Sequence, residues 1–90
     1  MHYNERGADA MLYSGFAEYL FHYMLRNHFK TKKRMAETLG ITYRTLLYNF
    51  KQICNAKGGY VAFVELVAYC LENGFSLDRI HNEYTASKKE

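Results

Sequence analysis

Residues 32–51 read KKRMAETLGITYRTLLYNFK, and this stretch indicates the fold more strongly than any other part of the chain. Ala36 and Gly40 are four residues apart, which suits a close approach of two helices followed by a turn with positive φ. Leu46 and Phe50 are also four apart and therefore lie on one face of a second helix. The spacing predicts two helices that are joined by a short turn after Gly40.

The other helices are predicted from capping residues and from the helical spacing of apolar side chains. Thr31, Thr42 and Ser76 each precede a helical segment and can cap its first turn. Gly74 can end the fourth helix. The predicted helices cover residues 8–28, 32–39, 43–55, 60–73 and 77–84, with residues 85–90 frayed. The sequence therefore predicts an all-α fold, a small four- to five-helix bundle containing a central helix-turn-helix.

The composition is typical of one small folded domain, predicted to cover residues 1–90. An apolar content of 49% with 17% aromatic residues excludes general disorder. The polar N-terminus carries no secretory signal, and no apolar run is long enough to span a bilayer. Two cysteines are too few for a disulfide scaffold. We therefore expect a reduced, cytoplasmic location without membrane association.

Positive charge is concentrated on one part of the chain. Residues 26–57 contain eight basic residues and one acidic residue, a formal charge of +7, whereas the remainder carries four basic and eight acidic residues, or −4. The charge thus coincides with the predicted two-helix unit. A polyanionic partner gives a physical reason for that placement.

The stretch resembles the helix-turn-helix of bacterial DNA-binding regulators, and the Fis-type motif in particular. An Ala-x-x-Leu-Gly-Ile run followed by a Thr-Leu pair is matched by Ala36, Leu39, Gly40, Ile41, Thr45 and Leu46. Tyr43 stands where the family often has Arg, and Arg44 follows it. The resemblance covers the motif and not the whole chain. It implies a small transcriptional regulator that reads double-stranded DNA in the major groove with the helix over 43–55.

Two sets of DNA-contacting residues follow from this interpretation. The base-reading set occupies the outward face of the second helix and comprises Thr42, Tyr43, Arg44, Leu47 and Tyr48. Arg44 suits a bidentate contact with guanine, with a phosphate contact as its alternative role. The phosphate-binding set comprises Lys30, Thr31, Lys32, Lys33, Arg34, Lys51 and Lys57.

Neither a metal site nor an enzyme is predicted, and no cofactor is expected. His22 and His28 are six residues apart on one helix and point to different faces. Together with His2, His81, Cys54 and Cys70 they show no zinc-ligand spacing. No carboxylate pairs with a base for acid–base chemistry, and there is no glycine-rich phosphate loop.

The first and fourth helices carry more apolar surface than one small bundle readily covers. The side chains in excess are Met11, Phe21, Leu25, Phe63, Leu66 and Tyr69. A homodimer that buries them is the favoured interpretation, because paired recognition helices read two half-sites. The alternative is a protein-interaction module, such as a phage or mobile-element regulator or inhibitor, that uses the same faces. RNA binding through the basic face is a third interpretation.

Overall fold

A computed structural model describes residues 15–54 and 60–88, and these residues form five helices and no β-strand. The helices are α1 (Phe16–Met24, continued by a π-helical turn, Leu25–Phe29), α2 (Lys32–Leu39), α3 (Tyr43–Cys54), α4 (Tyr60–Glu72) and α5 (Leu77–Lys88). This architecture confirms the predicted all-α bundle. No helix within the described ranges is long and apolar enough to cross a membrane.

Hydroxyl side chains cap three of the helices, at the positions that the sequence predicts. In each case the side-chain oxygen accepts a hydrogen bond from the backbone N–H three residues later. The pairs are Thr31 with Arg34 (3.1 Å), Thr42 with Thr45 (3.0 Å) and Ser76 with Arg79 (3.1 Å). Each cap satisfies a backbone donor that the helix leaves unpaired, which stabilises its helix by about 1 kcal/mol.

Glycines with positive φ end α2 and α4. Gly40 has φ 76° and Gly74 has φ 79°. In both turns the N–H of the residue after the glycine donates to a carbonyl five residues earlier. The pairs are Ile41 with Ala36 (3.1 Å) and Phe75 with Cys70 (2.9 Å). These bonds satisfy carbonyl groups at the helix ends and turn the chain sharply into the next segment.

The end of α1 departs from a regular α-helix. The backbone N–H of Lys30 donates to the carbonyl of Leu25 at 2.7 Å, five residues earlier, as in a π-helical turn. Because of this wider turn, Met24 and Phe29 both reach the core although they are five residues apart. Lys30 then leaves the helix with φ 78°, a rare value for a residue with a Cβ.

The core is built from the inner faces of all five helices. Its fully buried large side chains are Phe21, Leu20, Met24, Met35, Leu46, Leu66 and Cys70. The rings of Phe21 and Phe50 lie 4.8 Å apart between α1 and α3. The prediction that Phe21 and Leu66 form surplus surface is therefore wrong, since both are fully buried. Met11 lies outside the described residues.

The apolar side chains that α4 exposes are different from those that the sequence predicts. Tyr60 and Leu71 are 74% and 66% exposed. With Val61 and Val64, which are also exposed, they form a band along one side of the helix that we call the α4 stripe. Phe63 and Tyr69, which the sequence assigns to the surplus surface, are half-buried against the core, as is Leu25 of α1.

The helix ends differ most from the sequence prediction at the start of α1 and at the end of α5. Gly15 is the extended N-cap of α1, and the predicted first turns at residues 8–14 lie outside the described residues. α5 continues to Lys88, four residues past the predicted end. Buried Tyr84 anchors this extension, because its ring lies 5.7 Å from that of Phe16 and 5.2 Å from that of Tyr19.

Candidate nucleic-acid interface

Packing against the core fixes α2 and α3 relative to each other. Met35 and Leu39 of α2 are buried, as are Leu46 and Phe50 of α3. Ala36 is also buried, which fits its predicted role as the small residue where two helices meet. Three residues connect the helices, and all three take part in the glycine turn or the N-cap described above. The outer face of α3 is therefore carried by a rigid unit.

The five residues predicted to read bases all lie on the exposed side of α3 or at its N-cap. Tyr43, Leu47 and Tyr48 are 49%, 38% and 59% exposed, and Thr42 and Arg44 are exposed as well. Leu47 therefore lies beside two exposed aromatic side chains, whereas Leu46, Phe50 and Ile53 of the same helix are buried. The structure thus places the predicted set on one accessible surface.

Two hydroxyls on this surface, those of Thr42 and Tyr48, already have partners. The Thr42 hydroxyl accepts from the Thr45 backbone and donates to the Thr45 side chain at 2.9 Å. The Thr42 proton is thus used by Thr45, and Thr42 can offer a ligand its remaining lone pair and its methyl group. The Tyr48 hydroxyl accepts from Nε2 of Gln52 at 2.9 Å. Arg44 lies in the first turn of α3 and is exposed.

The basic residues surround the start of α2 and the outer side of α3. Lys30, Lys33, Arg34 and Lys51 are exposed, whereas Lys32 is half-buried with its Nζ 4.9 Å from the centre of the Phe50 ring. Lys32 therefore has a packing role within the fold. The Thr31 cap uses its oxygen as an acceptor, so the hydroxyl can still donate to an anion. Lys57 lies outside the described residues.

Electrostatics make the start of α2 attractive to anions. The first turn of α2 contains no acidic side chain, and its backbone amides carry the positive end of the helix dipole. Two adjacent exposed cations, Lys33 and Arg34, lie in that turn. Glu37 is the sole acidic residue between Lys30 and Cys54 in the sequence. A phosphate at this end would meet Lys33, Arg34 and the positive end of the helix dipole.

A second group of reactive side chains lies between α1 and the end of α3. The Cys54 thiol donates to Oε2 of Glu18 at 3.0 Å, and Nε2 of His22 lies 3.7 Å from the same oxygen. Burial, then the hydrogen bond and the negative charge of Glu18, raise the pKa of Cys54 to about 11. Cys54 is exposed as a residue, but its sulfur lies against the buried carboxylate.

Burial favours the neutral form of His22 in this group. Burial lowers its pKa below the ordinary 6.5, and Arg26 and Lys32 act in the same direction, whereas Glu18 opposes them. Sequence spacing misses the group because Cys54 is far from α1 in the chain. The four-residue spacing of Glu18 and His22 is the one signal in the sequence, because residues four apart are neighbours on a helix.

The chain has no match among protein-family models, curated proteins or solved structures. Its function is therefore inferred from its own residues. They form two separate features, an exposed basic and aromatic face on α2 and α3, and a cluster of one carboxylate, one imidazole and one thiol beside it.

Proposed function

We propose that this chain is a small transcriptional regulator that binds double-stranded DNA sequence-specifically, with α3 of a Fis-type helix-turn-helix in the major groove. The observation that carries the proposal is the exposed face of α3 next to the basic start of α2. A rigid helix of this kind fits the width of the major groove. Its placement on a packed two-helix unit fixes which side chains meet the bases.

The residues divide into two roles on this proposal. Arg44 donates to the acceptors on a guanine edge, and Tyr43 and Leu47 pack against thymine methyl groups. Lys33 and Arg34 bind phosphates at the start of α2, and Lys51 binds the backbone from α3. Phosphate contacts set the affinity and the register, whereas the contacts of Arg44 set the preferred sequence.

We further propose that two copies associate through the α4 stripe and act in the cytoplasm. The stripe is apolar and exposed on the described residues, and its burial against a second copy removes that surface from water. A two-fold dimer presents two α3 helices, so its preferred site is an inverted repeat with half-sites about 34–36 Å apart. The two free thiols fit a reducing compartment.

Titration of a labelled duplex at several salt concentrations tests the DNA proposal. DNA binding through several phosphates releases counterions, so affinity should fall steeply between about 50 and 200 mM salt. Selection from a random pool should then return one preferred motif. Absence of binding at low salt rejects the proposal, and equal binding to single-stranded RNA favours the RNA interpretation.

The second candidate function is a protein-interaction module, and the α4 stripe is the observation that favours it. In that case the stripe binds a different protein, and the basic face of α3 has no sequence preference. Sedimentation equilibrium of the purified chain separates the two functions. A chain that stays monomeric at micromolar concentration and selects no DNA motif supports the interaction module.

A further inference from the structure

The geometry points to a zinc site formed by Glu18, His22 and Cys54, which ties α1 to the end of α3. One atom from each side chain, a carboxylate oxygen, an imidazole nitrogen and the thiol sulfur, lies within 4.8 Å of the other two. Glu18 and His22 are one helical turn apart on α1, and Cys54 is the last residue of α3. This site is independent of the proposed DNA binding.

The distances suit a tetrahedral ion. Zinc bonds of about 2.3 Å to sulfur and about 2.0–2.2 Å to nitrogen and oxygen place the ligand atoms roughly 3.4–3.6 Å apart. The separations of 3.0 Å between Sγ and Oε2 and 3.7 Å between Nε2 and Oε2 lie on either side of this range. The third pair, the sulfur and the imidazole nitrogen, lies within 4.8 Å, so the side chains must rotate to bring all three atoms to one ion.

The donor types select zinc over the harder divalent ions. Thiolate and imidazole ligands are those that Zn²⁺ takes in proteins, whereas Mg²⁺ and Ca²⁺ prefer oxygen alone. Three protein ligands leave a fourth position for water. Cys54 is exposed, which gives an ion a path to the site from solvent.

Charge at the site is balanced when the ion is bound. The Glu18 carboxylate and the Cys54 thiolate together neutralise Zn²⁺, so the ion and its three ligands carry no net charge and present no net positive charge to the nearby cations Lys32 and Arg26. Binding breaks the S–H bond of Cys54, forms the metal–sulfur bond and releases one proton to solvent. Glu18 then exchanges its hydrogen bond with the thiol for a bond to the ion. His22 supplies a nitrogen lone pair without losing a proton.

Cobalt titration of the full chain under reducing conditions tests the site. Co²⁺ should bind at one equivalent with a thiolate charge-transfer absorption, and Zn²⁺ should displace it. Cys54→Ser should abolish the charge-transfer absorption. His22→Gln should weaken binding by at least about tenfold, the scale on which even changes around the ligands act.

Matched variants separate the site from general metal binding. Cys70→Ala removes the other thiol, and His28→Gln removes another histidine of the same helix, so both should retain the cobalt spectrum. Zinc should raise the melting temperature of the wild type and of the His28→Gln variant, but not of the Cys54→Ser variant. A charge-transfer absorption that survives in Cys54→Ser, or a wild type that takes up no cobalt, overturns the proposal.

Discussion

Oδ1 of Asn49, buried in the middle of α3, accepts a hydrogen bond from the backbone N–H of Ala62 at 3.2 Å. Ala62 lies in the first turn of α4, where backbone donors have no partner within their own helix. Its donor is thus satisfied by a side chain from another helix. The Asn49 amide also donates to the Thr45 carbonyl at 2.8 Å, so both ends of the side chain are fixed.

Replacement of Asn49 by alanine should lower the free energy of unfolding by about 1–3 kcal/mol, because it leaves the Ala62 donor buried without a partner. Asn73→Ala is the matched control. Asn73 donates to the carbonyl four residues earlier in the same way, at 2.9 Å, but is exposed. Urea denaturation of both variants gives the comparison. Equal losses of stability would show that the bond between α3 and α4 is unimportant.

Arg44→Ala and Lys33→Ala should change DNA binding in different ways. Loss of Arg44 should reduce affinity for the preferred site by roughly 5- to 150-fold and relax the selected base, because a guanine contact provides about 1–3 kcal/mol of discrimination. Loss of Lys33 should weaken all sequences about equally and lower the salt slope by about 1.

Arg79→Ala controls for the loss of one positive charge in both variants. Arg79 is exposed on α5, which packs against α1. Its replacement should leave the selected sequence unchanged. If Arg44→Ala weakens every sequence uniformly, Arg44 binds phosphate and the assignment to a base edge is wrong.

Gly40→Ala should destabilise the chain by about 1 kcal/mol, since a residue with a Cβ is strained at φ 76°. A Cβ at this position meets no atom within 4 Å, so the cost is conformational and not a clash. Gly40→Asn should cost less because asparagine tolerates this conformation. Thermal denaturation of the two variants measures the difference. Identical losses would indicate that the backbone conformation does not determine the residue at this turn.

The contribution of Cys70 to the free energy of unfolding should decrease at alkaline pH. Burial raises the pKa of Cys70 from 9.0 to about 11, so the folded chain keeps this proton after the unfolded chain has lost it. The contribution is complete below about pH 9 and falls as pH rises towards 11. Urea denaturation at pH 8 and pH 10 should therefore show a larger loss for the wild type than for Cys70→Ala. All other ionisable groups are common to both proteins, so a parallel loss would contradict this prediction.

Val64→Ser should shift the association equilibrium towards monomer if the α4 stripe forms the dimer interface. Val64 is exposed at the middle of the stripe, and a hydroxyl there reduces the apolar area that association buries. Glu65→Ser is the control, since Glu65 is an exposed neighbour that is not part of the stripe. Sedimentation equilibrium over a range of concentrations provides the measurement. A wild type that remains monomeric at all of them eliminates the dimer.

Local chemistry made most of the fold predictable. Thr31, Thr42 and Ser76 were expected as caps from their hydroxyls, and Gly40 and Gly74 were expected at positive φ because they lack a Cβ. Burial was less predictable for helices that are apolar on several sides. Phe21 lies off the main apolar stripe of α1, yet Phe50 of α3 packs against it there. When a helix is apolar on several sides, the spacing of its residues does not predict which side packs against a neighbouring helix. Tertiary contacts determine that side.

The DNA-binding face of α3 and the proposed zinc site also differ in how far the sequence predicts them. The face of α3 follows from helical periodicity, because Leu46 and Phe50 fix which side is buried. The cluster of Glu18, His22 and Cys54 depends on how α1 crosses the end of α3. Glu18 and His22 lie on one helix, so their proximity can be predicted from their four-residue spacing. The proximity of the Cys54 thiol cannot, because Cys54 lies on another helix.

The π-helical turn at Leu25–Phe29 places one residue more between Met24 and the next buried side chain than a regular α-helix would. In a regular α-helix the position after Met24 on the buried side is occupied four residues later, by His28. Here Phe29 fills it, and His28 instead lies with its Nε2 2.6 Å from the hydroxyl of Tyr69. A π turn contains one residue more than an α-helical turn, so it accommodates an additional residue between two helix segments that are both held by packing. We therefore expect relatives with a wholly α-helical α1 to lack one residue between Met24 and Lys30, and to carry the buried aromatic residue one position earlier.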